Sequence, residues 1–398
     1  MRVAFMSDTF PENMGYAGLL IPKTMARLGV DVHYVTAGLP VYHSMADYKE
    51  TYSKFHGSRD APGTSRVVEG YPVHFIDWHK TYGGVRLKGV RKLLSELKPD
   101  IVQTFGQVTW PSLQAAWLQP SFGFKLFTAN HTTASVYPLA NREAGLFDPM
   151  RIKEYLIRTL PGRFVSSRME LCYGATVDCS DVARRFMGVP EEKLTTVPLG
   201  VETELFHPAS SDAERGAAMA CRRGLGVKDD EILCVYTGRF TGDKNPFLLA
   251  RAVADLRAAG EPYRAVFYGE GPQRERIEAQ ADTIVRAFVP YNELADLYRA
   301  ADIGVWPTQE STSMIDCAAS GTPIVVNDTI AAVERVEGNG LKYRLNDGED
   351  LKRALLALKS PAVRAELGDA GARKMEERFS WTALVRRRLD DYERALRV

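Results

Sequence analysis

Short runs of apolar, largely β-branched residues alternate along this chain with helix-length segments in which apolar positions recur every three or four residues. The first half carries RVAFMSD (2–8), VDVHYVT (30–36), DIVQTF (100–105) and KLFTAN (125–130). Strands spaced this way predict βαβ units, because a parallel neighbour is reached only by a long crossover. The rhythm restarts at ILCVYTG (232–238) and continues through YRAVFYGEG (263–271), DIGVWP (302–307) and TPIVVND (322–328). Two successive parallel sheets predict an α/β protein with two doubly wound, Rossmann-like domains.

Between them, KLTTVPLGVETELFHP (193–208) reads as a strand followed by an extended, proline-terminated linker. The closing stretch FSWTALVRRRLDDYERAL (379–396) places Trp381, Leu384, Leu389, Tyr392 and Leu396 at roughly helical spacing. These boundaries predict an N-terminal domain over 1–198, a C-terminal domain over 199–378, and a last helix over 379–398 that packs on the N-terminal domain.

Composition narrows the class. A chain of 398 residues has room for two cores, and 45% hydrophobic with 25% charged residues is globular rather than fibrous or disordered. The start, MRVAFMSDTF, has too short an apolar run for a secretory leader and predicts a first strand. No apolar run reaches the roughly 20 residues that span a bilayer. The expectation is a cytoplasmic protein. Cys172, Cys179, Cys221, Cys234 and Cys317 form no C-x-x-C pair and have no histidine at zinc-site spacing, which predicts reduced thiols and no metal.

With 51 basic and 50 acidic residues, the net charge of +1 argues against nucleic acid as main partner. The charge is unevenly spread: residues 80–170 hold 13 basic against 6 acidic side chains. Arg86, Lys88, Arg91 and Lys92, with Arg151, Lys153, Arg158, Arg163 and Arg168, would form a basic face suited to peripheral contact with an anionic membrane at its inner side. A solvated helix face is the alternative.

The string GRFTGDKN (238–245) follows the strand ILCVYT and precedes the apolar helix PFLLARAVADL. Gly238 and Gly242 let backbone approach a ligand, and Arg239 and Lys244 bring two cations to one point, which suits a diphosphate. The alternative is a solvated glycine turn with two unrelated surface cations. Its place at a strand's carboxyl end, where open α/β sheets bind ligands, favours the first reading.

Taken with YGEGPQRERIE (268–278) and FVPYNELADLYRAADIGVWPT (288–308), this string resembles the GT4-type family of glycosyltransferases, nearly end to end. The resemblance implies the GT-B architecture, two facing Rossmann-like domains with the C-terminal helix crossing back. It implies a retaining transferase that moves a sugar from a nucleotide diphosphate donor, with UDP the commonest base, to an acceptor the sequence does not identify, lipid-linked or polysaccharide. Arg239 and Lys244 correspond to the family's diphosphate-binding pair, Gly238 and Gly269 to glycines of the donor site, and His131 to its active-site histidine. Gly15 and Tyr16 correspond to the glycine-rich N-domain loop that meets the β-phosphate.

The donor loop departs from the family pattern of two glutamates with seven residues between them. Asp316 stands at the second position, where it would accept ribose hydroxyls, and Thr308 stands at the first. Glu310 lies two residues on, which implies a reshaped loop in which Ser311, Thr312, Ser313 and Met314 offer backbone amides to phosphate or sugar; a cap on the following helix is the other role for Glu310. No D-x-D string occurs, so the two cations are expected to carry the leaving-group charge without a metal or other cofactor. The altered loop also admits a nucleotide-sugar binder without transferase activity, an epimerase or a silent partner of the same fold.

Overall fold

A computed structural model describes residues 1–12, 14–41, 43, 60–140, 145, 147–308 and 310–397. The chain divides into two compact units. One comprises Met1–Glu12, Tyr16–Leu199 and Leu384–Val398; the other comprises Asn13–Gly15 and Gly200–Ala383.

The first unit is built on β1 (Arg2–Thr9), β2 (Asp31–Leu39), β3 (Thr64–Val68), β4 (Tyr71–Phe75), a separate hairpin of β5 (Trp78–Thr81) and β6 (Gly84–Leu87), then β7 (Ile101–Thr104), β8 (Lys125–Asn130), β9 (Met169–Gly174) and β10 (Leu194–Thr196). The main sheet runs β10-β9-β8-β7-β1-β2-β4-β3, parallel except for the antiparallel edge pair β3/β4. The order in which strands are added to the sheet reverses between β1 and β7, which run parallel and pair at Val3↔Ile101, so the loops after these two strands flank a crevice. Val102, Leu126 and Cys172 on adjacent strands belong to one buried cluster.

The second unit holds β11 (Ile232–Thr237), β12 (Tyr263–Tyr268), β13 (Thr283–Arg286), β14 (Ile303–Trp306), β15 (Ile324–Asn327) and β16 (Gly340–Tyr343), in the order β13-β12-β11-β14-β15-β16 with every pairing parallel. This is the 3-2-1-4-5-6 order of a Rossmann sheet, and its switch point lies between β11 and β14. All six residues of β11 are buried, as expected of a central parallel strand covered on both faces. Both sheets of the sequence reading are therefore present.

The last helix, Trp381–Leu396, starts in the second unit and from Leu384 belongs to the first. Tyr392 fixes that end. Its ring centre is 4.6 Å from that of Phe127 and its hydroxyl donates to the Gln103 side chain, while Tyr173 donates to Asp391 at 3.0 Å. All five cysteines are free, and all but Cys221 are buried.

Candidate functional site

In the second unit, the loops after β11 and β14 rise from the two strands that flank the switch point. The loop after β11 runs through Gly238 to Asn245, whose left-handed backbone (φ 46°) turns the chain into the helix Pro246–Ala258. Gly238 (φ 145°) and Gly269 (φ 154°) adopt conformations that side chains rarely reach. A Cβ on Gly269 would strike the Gly238 carbonyl, and one on Gly271 would strike the Phe240 backbone. Glycine therefore lets the loop after β12 lie against the loop after β11. The contact is sealed by Gly238 N–H to the Tyr268 carbonyl (3.0 Å) and Phe240 N–H to the Glu270 carbonyl (2.8 Å).

This seat holds the two cations. Tyr236 donates its hydroxyl to the Arg239 carbonyl at 2.8 Å, fixing the backbone, and the Arg239 guanidinium pairs with Asp243 at 3.2 Å. Lys244 is half-buried, and its ammonium donates to the Glu310 carbonyl at 2.7 Å. Burial, helped by the neighbouring Arg239 charge, pushes the Lys244 ammonium down to about 8, against the opposing pull of Asp243 and Glu310. An ammonium held at such cost next to a second cation favours an incoming anion.

The loop after β14 is tied to this one. The Thr308 hydroxyl donates to the Asp243 carbonyl, and buried Asn327 donates its side-chain amide to the carbonyls of Pro307 and Thr308. The Glu310 carboxylate accepts from the amides of Ala331 (2.9 Å) and Ala332 (3.0 Å) and from the buried guanidinium of Arg335 (3.1 Å). Glu310 thus joins the loops after β14 and β15. It makes no cap on the helix Ser313–Ala319, which begins at Thr312 without a side-chain cap.

Within the 311–314 stretch, Ser311 N–H points to the Met314 sulphur (3.3 Å) and Ser313 N–H to the Ser311 hydroxyl (3.3 Å), and the Met314 side chain lies in the core. Asp316 sits half-buried on the same short helix. Burial, with the Glu202 carboxylate adding, raises its carboxyl well above the usual range. Glu202 in turn accepts from the Tyr291 hydroxyl at 3.1 Å.

The first unit presents its own candidates at strand ends. Tyr16 precedes the helix Ala17–Arg27, and its carbonyl accepts from the amides of Leu19 and Leu20 (both 2.9 Å). Gly15, grouped with the second unit, would with a Cβ meet the Tyr291 ring at 3.0 Å. His131 follows β8. The protein packed around it and the Arg388 guanidinium lower its affinity for a proton; the ring is exposed, so solvent screens part of this, and it is neutral at pH 7. Arg388, from the last helix, is buried with its guanidinium 3.9 Å from the Tyr173 ring centre.

Arg239, Lys244, Gly238, Gly269 and Glu310 are thus gathered by direct contacts, and Asp316 stands beside Glu202. Sequence reasoning missed Asp243, Glu202, Asn327, Arg335 and Arg388. Glu202, Asn327 and Arg388 lie within quoted strings but act on motif residues far away in the chain, and Arg335 lies in none; only Asp243, inside GRFTGDKN, shares a string with the residue it pairs with.

The two units with parallel sheets and a helix returning to the first define a two-Rossmann glycosyltransferase fold of GT-B type. The chain superposes with a TM-score of 0.70 on sucrose-phosphate synthase of Thermosynechococcus elongatus (16% identity, 99% of each chain covered). It superposes with 0.71 on Anabaena HepE solved with UDP (12% identity, 98% of this chain and 99% of that one). The family described as Glycosyl transferases group 1 matches residues 231–360, the stretch that holds both loops. The D-inositol 3-phosphate glycosyltransferase of Saccharomonospora viridis is 31% identical over 314 residues, 72% of this chain and 69% of that protein. A GDP-mannose-dependent alpha-(1-6)-phosphatidylinositol dimannoside mannosyltransferase of Mycobacterium tuberculosis is 27% identical over 318 residues, 78% of each. The chain belongs to the group 1 glycosyltransferases.

Proposed function

We propose that this glycosyltransferase takes a hexosyl group from a nucleotide diphosphate sugar and transfers it with retention at the anomeric carbon. The observation that carries the reading is the juxtaposition of Arg239 and Lys244 on one glycine-built loop at the switch point. As the sugar departs, negative charge grows on the diphosphate, and cations fixed beforehand by folded backbone stabilise that state more than the bound donor. Asp316 accepts the ribose hydroxyls. His131, neutral at pH 7, serves as hydrogen-bonding group for sugar or acceptor, and the reaction passes by front-face attack through an oxocarbenium-like state.

UDP-sugars are the first donors to test, since HepE was solved with UDP, and GDP-mannose the next, after the mycobacterial relative. Both relatives named above act on inositol-containing acceptors by their names, which puts inositol phosphates and their lipids first among acceptors.

The test compares Arg239→Ala and Lys244→Ala with wild type in donor hydrolysis and transfer, with and without EDTA. Each variant is expected to lose on the order of a hundredfold to a thousandfold in rate while binding changes less. Near-normal rates in both folded variants would defeat the assignment, loss of wild-type activity in EDTA would place the charge on a metal, and a protein that binds donor without consuming it would be a silent relative.

A further inference from the structure

The segment 147–168 contains an amphipathic helical run made of an α-helix (Pro149–Glu154), a wide π-turn (Tyr155–Thr159) and a second α-helix (Leu160–Ser166). Pro161 explains the wide turn: it has no N–H for the ladder, and its ring would crowd the Ile157 carbonyl. The inner face is firmly seated. Glu154 accepts from the Tyr137 hydroxyl (3.2 Å) and from Arg158 (2.8 Å), and Thr159 donates to the Phe186 carbonyl (2.8 Å). Gly162 lies so close beneath the Met187 carbonyl that a Cβ there would collide with it.

The outer face has the opposite character. Leu156 is 55% exposed, Leu160 42% and Ile152 46%, and Leu156, Leu160 and Phe164 follow one another at four-residue steps. Phe164 ends the stripe against Trp117 of the helix Trp110–Phe122, with ring centres 6.3 Å apart, and Trp117 is itself 71% exposed. Isolated exposed apolar residues are ordinary, but a contiguous stripe of large ones calls for a partner.

The charges around it have one sign. Residues 147–168 carry Arg151, Lys153, Arg158, Arg163 and Arg168 against Asp148 and Glu154. Both acids are engaged within the protein, Asp148 capping the amide of Met150 (2.8 Å) and Glu154 buried. Arg151, Lys153, Arg163 and Arg168 are exposed along this segment, Arg163 with its guanidinium 5.8 Å from the Tyr155 ring centre. Of the other cations of the expected basic face, Lys88 pairs with Asp77 and Lys92 with Glu96, Arg86 lies over Trp110 and Arg91 over Phe122.

We propose that the outer face of 152–164, with Trp117, inserts into the headgroup boundary of an anionic bilayer, the exposed cations meeting lipid phosphates. A helix flank with apolar side chains at its centre and cations beside them matches a deformable lipid surface, and Trp117 supplies the amphipathic ring favoured at that depth. This assignment is independent of the donor chemistry.

The test is sedimentation of the full chain with vesicles of phosphatidylcholine alone or mixed with phosphatidylglycerol, together with tryptophan fluorescence. Wild type is expected to pellet with the anionic vesicles, to be released by salt, and to show a blue shift that disappears in Trp117→Phe. The exposed pair Leu156→Ser/Leu160→Ser should weaken vesicle binding by about tenfold or more, with unchanged melting temperature and unchanged donor hydrolysis in solution. Equal or absent binding to both vesicle types, or wild-type binding by the folded double variant, overturns the proposal. So does a concentration-dependent dimer that the double variant abolishes, since the stripe would then bury itself against a second copy.

Discussion

The Lys244 ammonium donates to the backbone carbonyl of Glu310 at 2.7 Å and, beside the bond from Thr308 to the Asp243 carbonyl, joins the loops that follow β11 and β14. The cation is both a structural tie and the charge offered to a ligand, and its protonation should govern both.

Activity should therefore fall at alkaline pH. The Lys244 proton is held only to about 8 in the free protein, so kcat/KM should decline as pH rises through that value. A bound diphosphate favours the charged form, so the corresponding limb of kcat should lie at higher pH. Lys244→Arg keeps its charge throughout and should remove both limbs. A pH–rate profile checks this; a limb near 8 that survives in Lys244→Arg belongs to another group.

Glu310 should act as a clamp. Glu310→Ala leaves the buried Arg335 guanidinium without its carboxylate and frees two backbone amides, and is expected to cost about 1.5 to 3 kcal/mol in chemical denaturation. Glu310→Gln together with Arg335→Met should recover part of that loss, because the unpaired buried charge is gone. If Glu310→Ala unfolds like wild type yet binds donor more weakly, the carboxylate serves the sugar instead.

Asp316 should trade stability for binding. Its folded carboxyl holds a proton above the range in which the unfolded chain releases it, so its stabilising contribution is complete below about pH 4 and is lost as pH rises. Asp316→Asn should show a shallower fall in melting temperature between acid and neutral pH. The same variant should bind free nucleotide diphosphate more weakly, by about 1.5 to 3 kcal/mol if the ionised carboxylate meets the ribose. Wild-type nucleotide affinity in the variant would remove Asp316 from the ribose site.

What the sequence of this protein determines by itself depends on the range of the interaction. Sheet class, the parallel order of βα units and the returning helix follow from hydrophobic period and crossover length, which are local and leave their mark in strings such as ILCVYT. GRFTGDKN was legible for the same reason: the glycines, Arg239 and Lys244 act on one turn of chain, and position after a strand says where they point. The antiparallel edge strand β3 and the hairpin β5/β6 left no comparable signal and were not foreseen.

The fate of the carboxylates belonged to tertiary structure alone. Glu310 could be counted to the donor loop, but whether its side chain meets a sugar, a helix end or another loop depends on Ala331, Ala332 and Arg335, which only the adjacency of β14 and β15 brings within reach. Asp316 could be aligned, but its raised proton affinity arises from burial and from Glu202, more than a hundred residues earlier. Sequence specifies which groups exist and their local turn; the dielectric and the partner that set their charge come from chain segments that only folding brings together.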